Sequence, residues 1–151
     1  MRPVQKFTGE NGYEVITETM KAQIGIYTVQ SRDSLNAISN SATELVIWQR
    51  SLPDQLQTWL GQLNTHQLPH ARVLVKASDI RRAMEFKLKH YDEGVKHITD
   101  LLVDDIEGLT LAFAEITGDR MVDVRLERVS DNACWKFHRD FVKTRLLTTY
   151  R

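Results

Sequence analysis

Apolar and polar positions along the chain alternate with two different periods. Near the N-terminus Ile24, Ile26 and Thr28 alternate with Gly25 and Tyr27, the two-residue period of a short strand. Ser31 to Thr43 is rich in Ser, Asn and Ala and reads as a loop or a weak helix. Glu44 to Arg50 is a compact apolar run whose β-branched and aromatic content favours a strand. Ser51-Leu52-Pro53 then reads as a helix start, because a proline in the first turn lacks only an N–H that has no partner there. Leu56, Trp59, Leu60 and Leu63 follow at helical spacing. Thr65 to His70, with Pro69, predicts a loop, and Ala71 to Val75 a second short strand.

Two helical stripes come next. Ser78 or Asp79 is placed to cap a helix that carries Ile80, Met84, Leu88 and Tyr91 on one face. The strongest periodic signal runs from about Asp92 to Thr117, where Val95, Ile98, Leu102, Ile106, Leu109, Phe113 and Ile116 step by threes and fours. Asp104, Asp105 and Glu107 fall on its polar side, and Gly118 is suited to end it. The period then returns to two. Val122, Val124 and Leu126 oppose Asp123, Arg125 and Glu127, as in a half-buried strand. Ser130-Asp131-Asn132 is turn chemistry, Cys134 to His138 reads as a strand running into a site, and Thr144 to Tyr150 has strand character again.

The expectation is an α+β chain, with N-terminal helices packed on an antiparallel sheet. Residues 1–43 read as a loosely structured N-terminal region and residues 44–151 as the α+β domain. Three strands at the end make a poor sheet by themselves. Strand-like sequence also runs to the last residue, Arg151, so the domain is expected to be truncated at its C-terminus and to continue in a longer parent protein.

Composition narrows the class. Hydrophobic residues at 42% and charged residues at 26% are the balance of an ordinary globular protein, large enough to bury a core. Twenty basic residues match twenty acidic ones, so no charge excess argues for nucleic acid. The single cysteine excludes a disulfide framework and favours a reducing compartment. Neither a secretory signal nor a membrane-length apolar run is present, and a cytoplasmic location without a membrane partner is expected.

The candidate chemistry lies in His138-Arg139-Asp140. On a strand, residues two apart face the same side, so the His138 imidazole and the Asp140 carboxylate can meet one cation. A further histidine would complete a two-histidine, one-carboxylate face, which leaves positions open on non-haem Fe(II). The plain alternative is a surface or hydrogen-bonded histidine. Arg145, on the next strand-like run, would pair with a carboxylate ligand or an anionic substrate, or would simply face solvent. Cys134 and His138 are both zinc-type ligands, but on a straight strand they stand ~13 Å apart. Cys134 is then either brought in by a bend or is a buried, inert thiol. His90 and His97 share a helical face about 10 Å apart, too far for one ion. The chain has no phosphate-binding glycine loop, no dinucleotide fingerprint, no H-E-x-x-H and no nucleophile elbow.

Two stretches resemble a known family. One is Leu45-Val46-Ile47-Trp48-Gln49-Arg50-Ser51-Leu52-Pro53. The other is Cys134-Trp135-Lys136-Phe137-His138-Arg139-Asp140 followed by Arg145-Leu146-Leu147-Thr148-Thr149-Tyr150-Arg151. With the helix and strand between them they look like the bacterial domain-of-unknown-function family number 1826, over roughly Leu45 to Arg151 and most strongly at the end. The family's tail continues into a Gly-Pro-Gly-Thr segment and a later His-Arg-Ser-Pro element, neither of which lies in this chain. The resemblance implies a ligand order similar to that of Fe(II)/2-oxoglutarate oxygenases, and hence an incomplete double-stranded β-helix (cupin-like) fragment. It also implies a link to bacterial zinc homeostasis.

Only His138 and Asp140 carry over as metal ligands, with Cys134 as a third candidate. The leading expectation is a metal-dependent, oxygenase-like enzyme using Fe(II) or Zn(II) and 2-oxoglutarate, with Arg145 or Arg151 holding an anionic group. Without the distal histidine, this chain alone is expected to be inactive. The alternatives are a non-catalytic zinc-binding protein and a metal-free interaction domain whose Val95–Ile116 stripe packs on a partner protein.

Overall fold

The structure is a computed structural model that describes residues 25–91, 94–129 and 143–151. Alternating and helical periods become, in order, β1 (Gly25–Val29), β2 (Thr43–Trp48), α1 (Asp54–Gln62), β3 (Ala71–Lys76), α2 (Ile80–Leu88), α3 (Lys96–Thr117) and β4 (Met121–Leu126). The fold class is α+β. Helices are interleaved with strands rather than gathered ahead of them, because β1 and β2 precede α1 and β3 precedes α2.

The strands make two separate pairs. β1 and β2 run parallel, with Ile26 opposite Leu45 and Val29 opposite Trp48, and a 3-10 helix at Asp33–Ser39 bridges them and packs on α3. Gly25 starts β1 where a Cβ would lie 1.8 Å from the Ala42 carbonyl oxygen, so only glycine allows this approach. β3 and β4 are antiparallel, from Ala71 opposite Leu126 to Lys76 opposite Met121. The expected antiparallel pairing is found for β3–β4 and corrected for β1–β2: period-two sequence marks a strand but not its partner, and the 3-10 crossover brings β2 alongside β1 in the same direction. The finer expectation of a cupin-like double-stranded β-helix has no counterpart among the described residues.

The core forms where α2 and α3 cover one face of the β3–β4 pair and α1 packs on α3. Leu56, Trp59 and Leu60 of α1 meet Ile80, Met84 and Leu88 of α2, Leu102, Val103 and Ile106 of α3, and Ala71 of β3. Burying each of these large side chains contributes roughly 1.5–3 kcal/mol. Thr99 and Thr110 are also buried on α3, and their hydroxyls donate to the helix's own Lys96 and Ile106 carbonyls. α3 ends as expected: Gly118 is left-handed at φ 71° and its N–H bonds the Ala114 carbonyl at 2.9 Å.

Two local expectations differ. Asp79 stands at the N-cap of α2 but makes no side-chain cap, because the 3-10 turn Ala77–Asp79 enters the helix from already helical backbone. Thr144–Tyr150 carries no strand. A strand needs a ladder partner, and this tail is held by its side chains instead. The strand expected at Cys134–His138 lies outside the described residues. Of the first 43 residues, those from Gly25 onward are described and carry β1 and the 3-10 helix. No helix among the described residues is long and apolar enough to cross a membrane.

Candidate functional site

Arg50 lies two residues beyond β2, where Gln49 still donates its N–H to the Val29 carbonyl. Its guanidinium meets Asp105 of α3 in a bidentate pair, Nη1 on Oδ1 and Nη2 on Oδ2, the latter at 3.0 Å. Asp105 lies on the polar flank of α3, three residues after Leu102 and four before Leu109, so it faces the rim of the core rather than open solvent. Side-chain exposures of 14% for Arg50 and 20% for Asp105 make this a largely desolvated pair.

The tail completes the node. The Tyr150 hydroxyl donates to Asp105 Oδ2 at 2.7 Å, and Arg50 Nη2 donates to Thr148 Oγ1 at 2.7 Å. The guanidinium carbon also lies 5.3 Å from the Trp48 ring centre and 5.9 Å from that of Tyr150, within cation–π reach of both. Burial works to lower the Arg50 pKa, but the Asp105 hydrogen bond and charge, helped by Tyr150, outweigh it and hold the guanidinium above its ordinary value. Burial, and then the hydrogen bond and negative charge of Asp105, push the Tyr150 phenol well above its ordinary value. Beside this node Trp48, Arg50, Leu52, Leu147, Thr148 and Thr149 line an open groove of about 300 Å³. With its charge spent on Asp105, Arg50 acts there as a clamp and not as an anion receptor.

A second anchor stands where the chain leaves β4. Arg128 Nε donates to the Leu68 carbonyl at 2.6 Å, and Arg128 Nη2 to the Tyr91 hydroxyl at 2.9 Å. The Tyr91 hydroxyl lies 3.3 Å from the same carbonyl and 3.4 Å from His70 Nδ1. The loop Thr65 to His70 thus supplies a carbonyl and an imidazole to this network.

The two anchors bracket residues 130–142. Cys134, His138 and Asp140 lie in that segment, outside the described residues. Of the sequence-derived anion-holding residues, Arg145 is exposed on the tail. Arg151 donates Nη1 to the Leu63 carbonyl at 2.6 Å, so its guanidinium caps the C-terminal end of α1. Among the described residues no group of three His, Cys, Asp or Glu side chains is placed to hold a metal ion.

Arg50, Asp105 and Tyr150 were not singled out from sequence as a site. The available signals were the position of Asp105 beside the apolar stripe of α3 and the presence of Arg50 and Tyr150 inside the two segments that carry the family resemblance. The structure joins those segments physically, across 98 residues from Arg50 to Thr148.

This geometry defines an α+β domain in which residues 148–150 are clamped to α3. The chain belongs to the family described as protein of unknown function DUF1826, whose model matches residues 30–151. The match begins upstream of Leu45 and so takes in the 3-10 helix and β2 as well. No curated protein and no solved structure matches the chain.

Proposed function

We propose that this chain is a metal-binding domain of oxygenase-like type, in which His138 and Asp140 supply an imidazole and a carboxylate to Fe(II). The observation that supports the reading is the pinning of both stems of the segment that bears them, by Arg128 on Leu68 and Tyr91 and by Tyr150 and Thr148 on Asp105 and Arg50. Ligands carried between fixed ends lose less conformational freedom when they close on an ion. Arg145, five residues beyond Asp140 and exposed, is the residue assigned to an anionic co-substrate such as 2-oxoglutarate. The single cysteine suits a reducing cytoplasm.

Anaerobic calorimetric titration of the 151-residue chain with Fe(II) tests the reading. One ion per chain is expected, with binding abolished in His138→Ala and in Asp140→Asn. Unaltered binding in His138→Ala would sink it. The presence of Cys134 four residues before His138 favours a second reading, a non-catalytic zinc-binding domain. Selective Zn(II) binding that is lost in Cys134→Ser, with no turnover of 2-oxoglutarate, would favour that reading.

A further inference from the structure

We propose that the edge of β3 left unpaired by the described residues, with the groove between it and α2, is a docking site for an extended acidic segment of a partner protein. The argument starts from the ladder. Ala77 N–H bonds the Arg120 carbonyl at 3.2 Å, one step beyond the β3–β4 register. Pairing alternates along an antiparallel ladder, so Ala71, Val73 and Val75 turn their backbone groups toward β4. Arg72, Leu74 and Lys76 turn theirs to the other edge, where no described residue pairs with them. An unpaired row of this kind is a template for one more strand.

Beside that edge runs an open groove of about 570 Å³, lined by Leu74, Val75, Lys76, Arg82, Phe86 and Met121 among others. Leu74 is 68% exposed, Phe86 65% and Met121 49%. Exposed apolar side chains are ordinary singly, but three that line one groove mark a contact surface. The charged side chains of its lining are two cations, Lys76 and Arg82, against one carboxylate, Asp79, a net positive balance. Lys76 and Arg82 have no ion pair among the described residues, and Lys89 Nζ sits 4.8 Å from the Phe86 ring centre. On the outer face Arg72 and Arg125 share one carboxylate, Asp123, which their hydrogen bonds and charges hold below its ordinary pKa.

Charge complementarity selects the occupant. The outer positions read cation, leucine, cation, so the added strand should present carboxylate, apolar, carboxylate at two-residue spacing. A second copy pairing edge to edge about Leu74 would set Lys76 against Arg72, like charge on like, which disfavours a homodimer.

The probe is a fluorescein-labelled peptide, Thr-Glu-Val-Leu-Val-Glu-Thr, titrated with the full chain by fluorescence anisotropy. Saturable binding is expected, weakened at least about tenfold in the Lys76→Glu/Arg82→Glu variant. Both positions are exposed, so the variant's melting temperature should match that of the parent. A proline in place of the central leucine should abolish binding by removing a ladder N–H. Hydrogen exchange should show the Arg72, Leu74 and Lys76 amides gaining protection on addition of peptide. The proposal is overturned by equal binding of the proline peptide or of a scrambled peptide of the same charge. It is also overturned by an absence of saturation up to about 1 mM, by unprotected amides, or by sedimentation showing self-association through this edge.

Discussion

Tyr150, the penultimate residue, donates its hydroxyl to Asp105 Oδ2 at 2.7 Å and so ties the tail to the middle of α3. Asp105 thereby accepts three hydrogen bonds, two from Arg50 and one from Tyr150. A half-buried carboxylate is stable there only because all three are made.

Truncating Arg50 should expose that dependence. In Arg50→Ala the Asp105 carboxylate keeps only Tyr150, and the loss is about 2–3 kcal/mol, below the range for a fully buried pair because both side chains retain some exposure. Arg50→Ala/Asp105→Ala should cost less than the sum of the single changes, with a coupling of about 1–2 kcal/mol. Urea unfolding midpoints at constant slope measure both. A cost under about 0.5 kcal/mol for Arg50→Ala would reduce the node to an ordinary surface pair.

The Tyr150 phenol makes the node sensitive to alkali. Its folded pKa is raised above the ordinary 10.0 by burial and by Asp105. The stability linked to that shift is fully present below pH 10.0 and is lost as the pH rises from there toward the folded value, because the unfolded chain releases the proton first. Tyr150→Phe should cost about 1 kcal/mol at neutral pH through the lost hydrogen bond. It should also show a shallower decline in stability above pH 10.0 than the parent. Parallel alkaline limbs in the two proteins would contradict the assignment.

Gly118 tests the helix end by itself. Its φ is 71°, and a Cβ there would meet nothing within 4 Å, so the cost of Gly118→Ala is conformational and not steric. About 1 kcal/mol is expected, with Gly118→Asn costing less because asparagine tolerates the left-handed region. Thermal unfolding of the two variants should rank Asn above Ala, and the reverse order would mean that the cap is remade.

Much of the fold was legible because burial imposes its period on the sequence. Ile80, Met84 and Leu88 are spaced for a helix face and are all buried there. Val122, Val124 and Leu126 alternate with polar residues and face inward on β4. Leu45 to Trp48 read as a strand and form most of β2. Thr144–Tyr150 misled because β-branched and aromatic residues favour extended pairing, yet the described residues offer this segment no strand to pair with.

By itself, then, the sequence determined where α1, α2, α3 and the four strands lie, where α3 stops, and that Ile80, Met84, Leu88, Leu102 and Ile106 enter the core. These are local properties, set by backbone geometry and by one face of each element being removed from water. Only the tertiary structure decided that β1 and β2 pair in parallel, that the edge of β3 left unpaired by the described residues borders a groove with Lys76 and Arg82 in its lining, and that Arg50, Asp105 and Tyr150 form one node. Strand partners and ion pairs depend on distances between segments up to 98 residues apart, and hydrophobic periodicity carries no information about which distant polar group will meet which.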